Sequence, residues 1–215
     1  MKHFQHTRKI LALLSLFMLQ ASLSHAQIAK IVWPADPVMT NARVTYNGDL
    51  EITPSSTSSA RDFDFLAGKW DMHNTKLKKR LENNHEWLEF ESKDENFGAI
   101  LNGIGNLDIL KTSFNQYGKA PYEGLTLRLF NPETKLWSLY WVDSNLGTVD
   151  PPMVGSFEGN IGKFFCKDTW DGKPILVVFV WNKTDKEAPV WSQGYSIDNG
   201  RTWEWNFTNV LHHTK

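Results

Sequence analysis

From Arg61 to the C-terminus the chain alternates short β-type runs with turn residues and offers no amphipathic helix to pack against them. The runs are 69–79, 85–93, 100–110, 122–130, 136–143, 154–158, 163–170, 175–181, 190–197 and 202–211. Turn signals separate them, among them Asn131-Pro132, Gly159-Asn160, Asp171-Gly172 and Asp198-Asn199-Gly200. About ten short strands at this spacing predict an all-β sandwich or barrel. Phe63–Leu66 reads as a single helical turn leading into the first strand.

The segment before this domain is different. Lys2, Arg8 and Lys9 precede an apolar run from Ile10 to Leu19, and Ser24-His25-Ala26 places small residues at −3 and −1. This pattern predicts a secretory signal peptide over 1–26, cut before Gln27, and a secreted or periplasmic product. The run is shorter than the roughly 20 apolar residues that cross a bilayer, and no later stretch reaches that length. Residues 27–60 form an N-terminal arm. Trp33-Pro34 and Asp36-Pro37 favour extended chain, Asn47-Gly48 marks a two-residue hairpin turn, and Pro54–Ala60 has the composition of a linker.

Charge narrows the partners. The chain has 23 Lys+Arg and 24 Asp+Glu, and the first 26 residues hold three of the bases and none of the acids, which leaves 20 against 24, a net −4. Such a chain is a poor nucleic-acid binder. Its one basic cluster, Lys76–Arg80, is expected to split over both faces of a strand as a solvated edge. Cys166, the sole cysteine, reads as a buried inert thiol. It excludes an internal disulfide and a Cys-ligated metal, and no His pair has zinc spacing with a third ligand nearby. No metal or cofactor is expected.

Two motifs carry resemblances. Phe65-Leu66-Ala67-Gly68-Lys69-Trp70 resembles the Gly-x-Trp opening of lipocalins and other calycins, in which the glycine bends the chain into the first strand and the tryptophan plugs one barrel end. With Leu125–Phe130, Trp137–Trp141 and Asp150-Pro151-Pro152, it resembles an uncharacterised bacterial family of lipocalin-like domains over about residues 61–211. The resemblance implies a single antiparallel meandering barrel of about 8–10 strands over 61–215, and no catalytic residue. Ser196–Trp203 resembles the Asp-box hairpin of sialidases, here present once. It implies that Asp198 bonds turn amides, Gly200 takes a positive φ and Trp203 packs beneath the turn.

Pairing 122–130 with 136–143 through a four-residue loop sets Arg128 opposite Trp137, Gly124 opposite Trp141 and Tyr122 opposite Asp143. Arg128, Trp137, Trp141, Asp143 and Tyr122 are therefore the candidate ligand-binding residues. Either they line a cavity, with Arg128 holding an acidic group on an apolar or aromatic ligand, or Arg128 lies over exposed tryptophans outside the barrel. In the last hairpin, Gln193, Tyr195, Glu204 and Asn206 are expected on a solvated face, and Trp203, Trp205 and Phe207 in a core or plug. The favoured function is an exported small-molecule-binding barrel. One alternative is a calycin-fold lyase or isomerase acting on a small acid through Arg128, Tyr140 and Glu89, although Arg128 and Tyr140 have opposite parity. The other is a structural or interaction module in which the arm or a second copy, as in a homodimer, covers strands that are apolar on both faces.

Overall fold

The computed structural model describes residues 33–35, 38–116, 118 and 121–215. The expected signal peptide at 1–26 and the arm positions 27–32, 36 and 37 lie outside the described residues. Twelve strands form: β1 Ala42–Val44, β2 Leu50–Ile52, β3 Gly68–Leu77, β4 Trp87–Ile100, β5 Gly105–Thr112, β6 Tyr122–Asn131, β7 Leu136–Asp143, β8 Met153–Glu158, β9 Ile161–Trp170, β10 Lys173–Asn182, β11 Val190–Ser196 and β12 Glu204–His213. The strands from β3 to β12 make a closed antiparallel barrel in sequence order, and β12 pairs back onto β3 through Phe207↔Lys76 to His213↔Trp70. Both edges of β3 are paired, with β12 and β4, so Lys76 is not on the solvated edge expected at Lys76–Arg80, and Lys78–Arg80 lie beyond the strand in the β3–β4 loop.

Most strand bounds differ from the sequence reading by a few residues, and two of the differences have a local cause. Ile100 ends β4 and does not open β5, because Leu101, Asn102 and Gly103 all take positive φ and form the turn between them. The arm hairpin turns over five residues, Thr45 to Asp49, with Val44 paired to Leu50, and not over the two expected at Asn47-Gly48. Gly48 still supplies a positive φ of 85°, and the Thr45 N–H donates to the Asp49 carbonyl at 2.8 Å.

Alternation along each strand fixes which side chains fill the barrel. Trp70 and Met72 on β3, Phe164 on β9 and Val177 on β10 face inward and join one core. Phe165, Val178 and Val180 face outward and are fully buried nonetheless, because the arm covers them with Val38, Met39, Ala42, Leu50 and Ile52. The arm is tied down by hydrogen bonds to β8: the Ser55 N–H donates to Ser156 Oγ at 2.9 Å, and Thr57 Oγ1 donates to the Phe157 carbonyl at 3.2 Å. Trp203 and Trp205 pack into this outer layer, not into the barrel.

The turn before β12 is held by one carboxylate. Asp198 Oδ1 accepts from the N–H groups of Arg201 and Thr202, and Oδ2 from the Thr202 hydroxyl at 2.6 Å. These bonds favour the charged form and hold the Asp198 carboxyl down at about 2. Gly200 takes φ 84°, and Trp203 lies against it.

Because the arm seals an apolar outer wall, removing residues 34–56 is expected to lower the denaturation midpoint and to create binding of a hydrophobic dye. Chemical denaturation of the truncated and full proteins checks this. Equal midpoints would make the arm a passive tether.

Candidate functional site

The interior is layered, and its floor is built first. The one-turn 3-10 helix Asp64–Leu66 lies across one end of the barrel. Phe63 meets Trp137 and Phe157 edge-on, with centroids at 4.9 and 5.1 Å. Trp137 Nε1 donates to the Ser59 carbonyl and Trp70 Nε1 to the Leu66 carbonyl. Trp70, Trp137, Phe157 and Phe164 are at most 1% exposed, so this end is sealed.

Directly above the floor sits a buried polar cluster. The Arg128 guanidinium lies 5.0 Å over the Phe63 ring, forms an ion pair with Asp108 and donates to Asn106 Oδ1 at 2.9 Å. Asn96 and Asn106 bond each other through both amides at 2.9 Å. Asp94 faces the same space from β4 and is 7% exposed. Burial, followed by repulsion from Asp108, raises its carboxyl to about 8 against the attraction of Arg128. The cluster is thus a neutral acid beside a carboxylate that Arg128 already compensates.

Above the cluster the character changes. Phe90, Leu110, Trp141, Phe179, Trp191 and Phe207 have the same inward parity as the sealed floor residues, yet each keeps part of its surface exposed. Phe179 meets Trp191 edge-on at 4.9 Å, Trp191 meets Phe207 at 5.2 Å, and Phe207 lies 6.2 Å from Phe90. These inward side chains are partly exposed, whereas Cys166, Ile175, Val177 and Tyr195, inward on β9 to β11, are buried in the core. Gln193, Asn206 and Asn209 are buried polar residues on β11 and β12: Gln193 Nε2 donates to Asn206 Oδ1 at 2.8 Å. Asn206 Nδ2, Asn209 Oδ1 and, at the floor, Arg128 Nε are buried without a hydrogen-bond partner.

The solvated face expected for Gln193, Tyr195 and Asn206 is therefore an interior one. A β-bulge after Gln193 causes part of the difference. It pairs Gln193 with Phe207 and Gly194 with Trp205, which leaves Asn206 as the extra residue and switches Phe207 inward, while Trp203 and Trp205 stay outside.

All five sequence-derived candidates face the interior, but at different heights. The register of β6 with β7 is Phe130↔Trp137, Arg128↔Leu139, Thr126↔Trp141 and Gly124↔Asp143, two residues from the expected pairing, with parity unchanged. Arg128 and Trp137 belong to the floor. Trp141 lies across Gly124, where any side chain would displace its ring. Tyr122 donates to Asp143 Oδ2 at 3.1 Å near the open end, roughly 20 Å along the strand from Arg128. Arg128 does not meet Trp141 or Asp143, so no single ligand group touches all five. Glu89 is exposed, and Tyr140 pairs with Leu127 on the outer face, so neither joins Arg128 in the barrel. Two surface depressions, of about 260 and 430 Å³, lie on the outer wall beside the arm and do not reach Arg128.

Asp94, Asn96, Asn106 and Asp108 were not found from the sequence. On β5 the apolar residues Leu107 and Ile109 point outward and the polar ones inward, the reverse of the usual pattern. The available signal was shared parity: pairing β5 with β6 sets Asn106 opposite Arg128, with Asp108 two residues on.

Comparison with known proteins returns fold-level similarity only. No protein-family model matches the chain, and no curated protein matches its sequence. Among solved structures, the crystal structure of Rv2717c from M. tuberculosis matches with a TM-score of 0.48 at 13% identity, over 73% of this chain and 98% of that one. A redesigned β-barrel, b11L5F_LGL, matches with a TM-score of 0.39 at 11% identity, over 74% and 100%.

Two outcomes follow from the floor cluster. Asp94 has its folded pKa raised from 3.8 to about 8, so its contribution to stability is full below pH 3.8 and is lost as pH rises through 8. Asp94→Asn should flatten the fall in stability over that window, measured as unfolding free energy against pH. Arg128→Met leaves two buried carboxyls without a cation and should cost about 3–5 kcal/mol. The Arg128→Met/Asp108→Leu double variant should recover part of that loss in the same denaturation assay.

Proposed function

We propose that this is an exported protein that binds a small aromatic molecule inside its barrel. The observation that carries the reading is the ring of inward-facing yet solvent-accessible side chains, Phe90, Trp141, Phe179, Trp191 and Phe207, above a sealed floor. Ligand sites are largely apolar and concave, with a few placed polar groups. On this reading those side chains line a chamber that has aromatic walls and, at Asn206 Nδ2 and Asn209 Oδ1, one buried donor and one buried acceptor still unbonded. Buried polar atoms normally find partners, and a ligand with an amide-like group would satisfy both. The ion pair with Asp108 makes Arg128 a poor receptor for an acid, so the part of the ligand deepest in the barrel is neutral. Export rests on the basic, apolar and small-residue pattern of 1–26; the mature N-terminus of the secreted or periplasmic fraction tests it.

A second reading is acid–base catalysis on such a ligand. The specific feature in its favour is Asp94, whose carboxyl burial pushes up, in the same enclosure as Asp108, which is ion-paired with Arg128. It needs a ligand that reaches the floor.

Calorimetric titration with 2-naphthamide, indole and dodecanamide tests the binding reading. We expect saturable binding of the aromatic amide, weakened at least about fivefold in Asn209→Leu and Trp191→Leu. Absence of heat from all three probes, with the chamber found filled by side chains in a crystal structure, would overturn it.

A further inference from the structure

The open end of the chamber carries a guanidinium that its protein surroundings leave unfinished. Arg80 lies in the β3–β4 loop, which is pinned to β12 where the Leu81 N–H donates to both Glu204 carboxylate oxygens at 2.9 Å. The Arg80 guanidinium sits 5.1 Å from the Trp170 ring and 5.1 Å from the Tyr195 ring, and donates to the Tyr195 hydroxyl at 2.8 Å. Its Nε is buried without a hydrogen-bond partner. Among the described residues no carboxylate forms an ion pair with it. A second cation shares this rim. Lys76 follows Asn74 on the inward face of β3, with its Nζ 5.8 Å over the Phe207 ring of the chamber wall. Burial, and second the charge of nearby Arg80, lower its ammonium to about 8.

A structural arginine normally has its charge balanced and its donors used. Here the aromatic rings hold the guanidinium plane in place, one amine is spent on Tyr195, and the edge carrying Nε has no protein acceptor. We infer that Arg80 and Lys76 form a carboxylate-binding subsite at the rim of the aromatic chamber, so that the natural ligand is an aromatic monocarboxylic acid with its ring against the faces of Phe207 and Trp191. The inference rests on the chamber reading and names the class of ligand it takes. A planar fork of donors matches a carboxylate in particular. Within Lys76–Arg80, Lys78 and Lys79 pair with Glu86 and Glu82 in solvent, Lys76 lies over the Phe207 ring, and Arg80 lies against Trp170 and Tyr195.

The test compares 2-naphthoate with 2-naphthamide on the full mature protein by calorimetry. The acid should bind about tenfold tighter than the amide, and that ratio should fall toward one in Arg80→Gln and shrink in Lys76→Gln. Inorganic phosphate at equal ionic strength should not compete; competition by phosphate would overturn the carboxylate assignment. Equal affinities for acid and amide, with a ratio unmoved by either variant, would overturn the subsite and leave the chamber standing. If neither compound binds, the chamber reading falls, and the subsite is decided by a second measurement. Acylation of Lys76 by an amine-reactive ester, followed by mass spectrometry, should be slowed by benzoate in the wild type and not in Arg80→Gln. Lack of protection would overturn it.

Discussion

The interior is organised around a buried positive charge. A guanidinium enclosed in a barrel is tolerated only if it is neutralised and its donors are used. Asp108 neutralises Arg128, Asn106 takes a further bond and the Phe63 ring lies beneath. This single pairing has consequences in both directions. Beside it, burial first and the charge of Asp108 second push the Asp94 carboxyl up. Below it, the floor residues must be dry, because the ion pair is strong only where water is excluded. Above it, Arg128 has no net charge left to offer to a further acidic group.

How much of this was legible depended on whether a contrast existed along the strand. The ten barrel strands and the Asp64–Leu66 turn follow from alternation and turn residues, which are local signals. Parity on β6 was legible because Thr126 and Arg128 alternate with three leucines, and on β7 because Trp137, Trp141 and Asp143 alternate with Ser138, Tyr140 and Val142. Register was not, since the number of residues in a turn has to be known to fix it. On β4, Ser92, Asp94 and Asn96 alternate with Lys93 and Glu95, so polarity does not distinguish the inner from the outer face. On β11 and β12 the reading of the face failed for a different reason. Trp203 and Trp205 are large enough to demand burial, and the arm supplies it from outside, which no pattern within the barrel strands announces. Asn206 could be placed only by knowing the bulge.

The outer wall shows why several strands are apolar on both faces. Around β8–β11 the arm is the second cover. Around β5–β7 the outward side chains Leu107, Ile109, Leu125, Leu127, Tyr140 and Val142 remain half-buried, shielded chiefly by one another across the strand pairs Leu107↔Leu127, Ile109↔Leu125 and Leu127↔Tyr140. Cross-strand contact of this kind stabilises the sheet without a further layer.

The pairing of β12 with β3 joins the last strand of the chain to the first strand of the barrel, with more than a hundred residues between them. Each other neighbouring pair in the ring is consecutive in sequence. A ribosome making this protein therefore releases nine strands that can meander as an open sheet, and the ring shuts only when the tenth emerges. Residues 204–213 are the latch, and the loss of a few residues from that end would open two edges at once.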